Sequence, residues 1–141
     1  MLGKRSVVAF VTTAKPAKAA AFYGRTLGLK LISDDPFATV SDAHGTPLRL
    51  SKAKQVSPAP HTILGWEVPK AATAVKGLTA RGVKFVRYPG MGQDELGIWD
   101  APGGARVAWF KDPDGNLLSL TEMPRRPRAV GSRRASAAPR S

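Results

Sequence analysis

The sequence contains no cysteine, and this absence excludes three kinds of site. A disulfide framework, a thiolate zinc site and a cysteine nucleophile all need thiol groups that the chain does not have. Long apolar runs are also missing, since no stretch approaches the roughly 18 residues that a membrane-spanning helix requires. The fold must therefore be stabilised by an ordinary hydrophobic core. A chain of 141 residues is long enough to form one domain with such a core.

The N-terminal segment has only a weak likeness to a secretory signal. Lys4 and Arg5 precede the short apolar run Val7–Val11. This run is shorter than the apolar stretch of about 7–15 residues that signal peptides carry. The same residues fit a β-strand followed by a helix, so we expect a cytoplasmic protein.

Positive charge is concentrated near the C-terminus. The formal net charge is +12, and Glu122 is followed by six arginines and no acidic residue. Segment 124–141 is rich in Arg, Pro, Ser and Ala, a composition that cannot bury enough apolar surface to fold alone, so we expect a disordered tail. A second interpretation is weak, nonspecific binding of this tail to nucleic acid or another polyanion, which would be sensitive to salt.

The first half of the chain predicts a strand, a helix and three further strands. Val7–Thr12 is rich in β-branched residues, and Pro16 suits the first position of a helix that continues through alanines to Tyr23. Gly28 suits the left-handed position that ends a helix. Further strands are predicted over 29–33, 37–41 and 48–51.

The second half repeats this order. Segment Gly28-Leu29-Lys30-Leu31 corresponds to Gly82-Val83-Lys84-Phe85 at a spacing of 54 residues. Helix 71–80 is predicted between strands over 62–68, 83–86, 97–100, 106–111 and 117–122. Self-similarity at a fixed spacing indicates a duplicated unit. We therefore predict one domain over 1–123, built from βαβββ modules over 5–55 and 61–123.

Two short motifs carry a resemblance to a known family. Residues Asp112-Pro113-Asp114-Gly115-Asn116 interrupt an apolar run and predict a tight turn between two strands. Residues Phe22-Tyr23-Gly24-Arg25-Thr26-Leu27-Gly28-Leu29 form the second motif. Together the two segments resemble the signature of the glyoxalase/bleomycin resistance/dioxygenase (vicinal oxygen chelate) superfamily, over residues 5–123. The resemblance implies an α+β fold in which the modules form a curled, cup-like mixed sheet with helices outside.

Strand alternation divides the side chains into two sets. The consistently apolar set should face the helices, because successive side chains of a strand point to opposite faces. The mixed set should line the cup, and it comprises Val8, Phe10, Arg49, Ser51, Ile63, Glu67, Ser119 and Thr121.

Enzymes of the superfamily that the chain resembles hold a divalent metal in the cup, with His, Gln or Glu ligands from four strands. By the same resemblance, these four positions fall at Val8, Arg49, Ile63 and Ser119. Aliphatic side chains cannot ligate a metal, a guanidinium has no acceptor, and a serine hydroxyl is a poor ligand alone. We therefore expect no metal site and no cofactor.

A shifted register would permit another arrangement. His61 lies two residues before Ile63 and shares its strand parity, whereas His44 falls in a predicted turn. Neither histidine has a convincing second ligand. An active metal-dependent lyase or dioxygenase with shifted ligands is therefore an alternative function.

Arg49 provides the main functional hypothesis. A guanidinium in the place of a metal-binding carboxylate offers a bidentate fork to a carboxylate or phosphate. We expect the cup to bind a small anionic or carbonyl-bearing ligand, and the candidate ligand-binding residues are Phe10, Arg49, Glu67, Trp99 and Ser119. Alternatively, Arg49 forms an ion pair with Glu67 across the sheet or points to solvent.

A second candidate function is non-catalytic sequestration of a drug or metabolite, as performed by resistance proteins of the superfamily that the chain resembles. The body of the chain carries half of the net positive charge, which argues against a cationic ligand. The resemblance also implies a homodimer. Segment 88–99 is irregular and glycine-rich, and its Met91 or Trp99 either closes over a ligand or makes surface contacts. Trp66 and Trp109 are expected in the core.

Overall fold

A computed structural model describes residues 1–124 of the chain. Its strands and helices are β1 (Ala9–Thr13), α1 (Pro16–Ala21), β2 (Lys30–Asp34), β3 (Ala38–Ala43), β4 (Thr46–Lys52), β5 (Leu64–Glu67), α2 (Ala71–Ala80), β6 (Trp99–Asp100), β7 (Arg106–Lys111) and β8 (Leu117–Glu122). A 3₁₀-helix (Leu2–Lys4) precedes β1, and a π-helical turn (Phe22–Thr26) continues α1. The predicted disordered tail, 124–141, lies outside the described residues except for its first residue.

The strands form two four-stranded sheets with the same internal order. The first sheet runs β1-β4-β3-β2, and the second runs β5-β8-β7-β6. In each sheet the first strand lies parallel to the last strand of its module, while the remaining neighbours are antiparallel. This shared order confirms the predicted α+β fold of two βαβββ modules. The two sheets do not close into a barrel.

The helices begin and end largely as their sequences predict. Pro16 is the first residue of α1, and Gly28 takes the positive φ of 83° that only glycine adopts without strain. Between them the helix changes to π-helical form, because Leu27 N–H donates to the Phe22 carbonyl. Helix α2 has Gly77 in its interior, which costs about 0.5–1 kcal/mol relative to alanine.

The core lies between the helices and the sheets. Phe110 on β7 is fully buried, and its ring centroid lies 6.3 Å from Phe22, 6.3 Å from Trp66 and 5.4 Å from Phe85. Burial of one such ring stabilises the fold by about 1.5–3 kcal/mol. Because Phe22 belongs to the first module, this cluster joins both halves of the repeat.

The predicted strand over 83–86 is wrong for most of its length. Only Phe85 pairs, through one antiparallel bridge to Phe110. Farther along the same edge of β7, Trp99 pairs with Val107. The outer edge of β7 is therefore shared by two short pieces of chain with a loop over 87–98 between them, whereas the first module has one continuous edge strand there.

Candidate functional site

Each sheet has one face covered by helices and a second face, which we call the open face. On β4, Leu48 and Leu50 are buried under the helices, while Arg49 lies on the open face opposite Phe10 of β1. On β8, Leu118 and Leu120 are buried, and Ser119 between them lies on the open face. The predicted alternation is confirmed for these strands.

All five predicted ligand-binding residues lie on open faces, but they belong to two different sheets. Phe10 and Arg49 are direct neighbours on the first sheet. Glu67 and Trp99 lie in one cross-strand row of the second sheet, and Ser119 lies in the adjacent row. Phe10 is 63% exposed and Ser119 is 7% exposed. Phe10 is therefore accessible from solvent, whereas Ser119 is largely covered.

Three aromatic side chains form a surface that we call the aromatic wall: Tyr88, Trp99 and Trp109. The Trp109 ring centroid lies 5.5 Å from that of Tyr88 and 6.0 Å from that of Trp99. The expectation that Trp109 fills the core is wrong, because Trp109 pairs with Ser119 and shares its open face. Trp66 does pack against the core, as expected. Sequence reasoning thus missed Tyr88 and Trp109 as candidate ligand contacts.

A cavity of about 520 Å³ lies beside the aromatic wall. Tyr88, Met91 and Trp109 contribute to its lining, and His61 and Thr62 supply polar side chains. Ligand pockets in proteins commonly have volumes of about 300–1,000 Å³ and combine apolar walls with a few polar groups. This cavity therefore has the size and the composition to hold a small ligand with an aromatic or apolar body.

Two side chains, Gln93 and Asp94, hold the loop over 87–98 in place. The Gln93 amide accepts a hydrogen bond from Tyr88 N–H at 2.7 Å and donates to the carbonyls of Val86 and Gly97 at 3.0 and 2.8 Å. Asp94 accepts further bonds from two backbone N–H groups of the same loop. These bonds hold Tyr88 at one end of the loop against Trp109, so the aromatic wall is preformed.

Arg49 does not form the ion pair with Glu67 that was the alternative to ligand binding. Within residues 1–124, the salt bridges are Lys52 with Asp34, and Arg106 with both Asp94 and Asp100. The pKa of Asp35 is lowered mainly by the backbone N–H groups of Phe37 and Ala38, and Arg49 adds a smaller electrostatic contribution. The Arg49 guanidinium is therefore free of any direct carboxylate contact in the described part of the chain.

Ser119 is packed tightly against its neighbour on β5. A Cβ atom added to Gly65 would lie 2.5 Å from the Ser119 hydroxyl oxygen, so a larger residue at this position would force the serine side chain to move. Within residues 1–124 the Ser119 side chain makes no hydrogen bond to another residue. A buried hydroxyl without a partner is costly, and a ligand or water that reached it would relieve this cost.

The turn at 112–116 connects the two modules. Asp112 accepts hydrogen bonds from the Asp114 and Asn116 N–H groups, as expected for a turn, but also from the Tyr23 hydroxyl at 2.7 Å. Asp114 accepts from the Thr13 hydroxyl at 2.5 Å. Burial, followed by the charge of Asp112, raises the pKa of Tyr23 above its ordinary range. The two motifs that carry the family resemblance are thus bonded to each other.

Comparison with known proteins now settles the family. The family model of the Glyoxalase/Bleomycin resistance protein/Dioxygenase superfamily matches residues 6–120. The chain belongs to this superfamily. No curated protein sequence gives a significant match.

Solved structures of superfamily members have the same fold. A member from Sphaerobacter thermophilus is 28% identical, with a TM-score of 0.64 over 83% of this chain and 97% of that chain. A member from Alicyclobacillus acidocaldarius is 19% identical, with a TM-score of 0.64 over 85% and 92%. The lactoylglutathione lyase of Agrobacterium tumefaciens is 15% identical, with a TM-score of 0.63 over 85% and 95%. At such low identities, the last two show the fold alone.

The strand registers test whether the superfamily's metal fits this chain. Phe10 pairs with Arg49 in the first sheet, and Gly65 pairs with Ser119 in the second. Val8 lies two residues before Phe10, and Ile63 lies two residues before Gly65. Val8 is therefore equivalent to Ile63, and Arg49 is equivalent to Ser119. Val8 and Ile63 are 47% and 38% exposed. None of these four side chains is a carboxylate or an imidazole, so the residues present do not fit the metal.

The two histidines do not provide a substitute site. His44 is in the turn between β3 and β4, where it adopts a positive φ of 51°, while His61 lies beside the aromatic wall. Among residues 1–124, no group of three His, Cys, Asp or Glu side chains lies close enough together to hold a metal ion. In the same part of the chain, no helix is long and apolar enough to cross a membrane.

Proposed function

We propose that this superfamily member binds a small anionic or carbonyl-bearing ligand on its open faces, without the divalent metal of the superfamily's enzymes. The observation that carries this proposal is the identity of the four residues at the metal positions: two aliphatic side chains, one hydroxyl and the Arg49 guanidinium. A guanidinium repels a cation and offers paired donors to a carboxylate. The site that binds a cation in relatives therefore binds an anion here.

The body of the ligand is expected to be flat and apolar. The aromatic wall offers ring faces for stacking, and the open cavity of about 520 Å³ beside it has room for a small molecule, although none of the five predicted ligand-binding residues lines this cavity. The unpartnered Ser119 hydroxyl supplies a hydrogen bond for a carbonyl group. Phe10 and Glu67 border the open faces, and we assign them to ligand contact rather than to chemistry.

Sequestration without a reaction is the simplest form of this function. Among residues 1–124, no three His, Cys, Asp or Glu side chains form a group that could hold a metal ion. A metal-dependent lyase or dioxygenase reaction with shifted ligands would need a partner for His61, and His44 lies in a different module. The homodimer, the cytoplasmic location and the binding of polyanions by the arginine-rich tail stay predictions.

Arg49→Met tests the proposal directly. With benzoate as the anionic probe and benzamide as the neutral one, we expect this variant to weaken benzoate binding about tenfold or more and to leave benzamide unchanged. Isothermal titration calorimetry measures both affinities. Lys52→Met is the matched control, because Lys52 lies on the same strand but is paired with Asp34.

Two results would contradict the proposal. Benzoate affinity that is equal in Arg49→Met and the natural chain would exclude an anion site at Arg49. Stoichiometric zinc, nickel, manganese or iron in protein that has been loaded with metal and then dialysed, measured by mass spectrometry, would show that a metal binds after all.

A further inference from the structure

A second cavity lies on the opposite side of the second sheet, away from the open face. It has a volume of about 330 Å³ and lies between α2 and the strands β5, β7 and β8. Its lining is mostly aliphatic and aromatic, and it comprises Leu27, Trp66, Glu67, Val68, Ala74, Gly77, Leu78, Arg81, Phe110 and Leu120. We call this cavity the α2 groove.

The middle of α2 leaves the groove open. A Cβ atom added to Gly77 would meet no atom within 4 Å, so packing does not require glycine at this position. Glycine in a helix interior is nevertheless unfavourable relative to alanine, and Gly77 is exposed to solvent. The helix therefore loses stability at a position that lines the groove, where a longer side chain would extend toward the mouth.

Arg81 supplies the polar group at the end of the groove. One of its Nη atoms donates to the Thr26 carbonyl at 2.9 Å, which fixes the side chain across the gap between the modules. A guanidinium has five N–H donors, and Arg81 forms no salt bridge with an acidic residue of the described chain. Because Arg81 also lines the cavity, N–H groups that are not bonded to Thr26 are available to a ligand there. Glu67 is the other charged residue of the lining.

We propose that the α2 groove binds an acyl chain with a terminal carboxylate. The aliphatic side chains Leu27, Leu78 and Leu120 and the ring of Trp66 surround the hydrocarbon, and Arg81 pairs with the carboxylate. The volume is near the lower end for ligand pockets, so the chain is of medium length. This site does not include Arg49, and it shares Glu67, at the edge of the second sheet, with the proposed open-face function.

The test uses a series of octanoate, decanoate and dodecanoate with the natural chain, measured by calorimetry below micelle-forming concentrations. We expect the affinity to rise about fourfold for each added methylene until the groove is full. Octanol serves as the uncharged partner of octanoate. Arg81→Met should weaken decanoate binding tenfold or more without affecting octanol, whereas Lys76→Met, which removes a neighbouring exposed cation of α2, should change neither.

Gly77→Leu fills the groove from the helix side, and we expect it to abolish decanoate binding while raising the thermal midpoint. Gly77→Ala is the matched control: its Cβ would meet no atom within 4 Å, so we expect a higher thermal midpoint with decanoate binding unchanged. Arg49→Met should bind decanoate normally. The proposal is overturned if affinity does not depend on chain length, if Arg81→Met binds decanoate like the natural chain, or if a folded Gly77→Leu variant still binds decanoate like the natural chain.

Discussion

The two modules have the same strand order, yet their open faces carry different chemistry. The first sheet presents the cation of Arg49 beside Phe10, whereas the second presents the aromatic wall beside Ser119. In the first module the edge is a single, fully exposed strand, β2, with one β-bulge between Leu31 and Ser33. In the second module the edge is interrupted by the loop that Gln93 holds. The two modules thus share the same strand pairing but carry different side chains on their open faces.

The turns between the last two strands of each module differ in a similar way. In the first module, Asp42 accepts one exposed hydrogen bond, from the Gly45 N–H. In the second, Asp112 accepts bonds from two backbone N–H groups, the Asn116 amide and the Tyr23 hydroxyl. The turn of the first module is thus stabilised by a local bond, whereas the equivalent turn of the second module also bonds to Tyr23 of the first module.

Replacement of Asp112 should have the largest effect. Asp112→Ala removes four hydrogen bonds to a buried carboxylate and leaves the Tyr23 hydroxyl unpaired, so we expect a loss of about 3–5 kcal/mol in the free energy of unfolding. Asp42→Ala should cost less than about 1 kcal/mol. Urea unfolding of both variants measures the difference, and equal losses would show that the turn at 112–116 does not join the modules.

Gly65→Ala is expected to have the next largest effect. The added Cβ would overlap the Ser119 hydroxyl, and overpacking of this kind costs about 1–3 kcal/mol. The equivalent position of the first module holds Phe10 without difficulty. Ser119→Ala should rescue the variant, and a double-mutant cycle measures the coupling. Additive losses would mean that Ser119 does not limit the space at Gly65.

Most of the framework can be predicted from sequence, because strand alternation, the helix at Ala71–Ala80 and the turn at 112–116 are local signals. The face of Trp109 was also predictable, since a hairpin around this turn puts Trp109 opposite Ser119. The position of Tyr88 could not be predicted, because it depends on hydrogen bonds of the Gln93 side chain in an irregular loop. The Tyr23–Asp112 bond joins residues 89 positions apart, and no local pattern predicts such a pairing.

The hydrogen bond between Tyr23 and Asp112 should make the stability of the protein sensitive to alkaline pH. Because burial and then Asp112 raise the pKa of Tyr23, its contribution to stability is complete below about pH 10 and is lost as the pH rises further. Tyr23→Phe should cost about 1–2 kcal/mol at neutral pH and should lose less stability between pH 9 and about pH 11 than the natural chain. Denaturant unfolding across this range tests the prediction, and parallel curves would refute it.

The corner between β2 and β3 should respond to acid, with the smallest effect. The hydrogen bond from Lys52, followed by that from Thr39, lowers the pKa of Asp34. This contribution is present above the ordinary aspartate range near pH 4 and disappears as the pH falls below it. Lys52→Met should raise the pKa of Asp34, as followed by carboxyl NMR. No change would mean that solvent screens this exposed pair completely.

The bond between Thr13 and Asp114 joins groups 101 residues apart, and this separation affects how the protein is made. At a synthesis rate of roughly 5–20 residues per second, Asp114 is synthesised about 5–20 seconds after Thr13. During that interval Tyr23 lacks its hydrogen-bond acceptor, Asp112, and Phe22 lacks its packing partner, Phe110. Folding on the ribosome is therefore expected to be completed late, and the nascent first half is the stage most exposed to aggregation and to capture by chaperones.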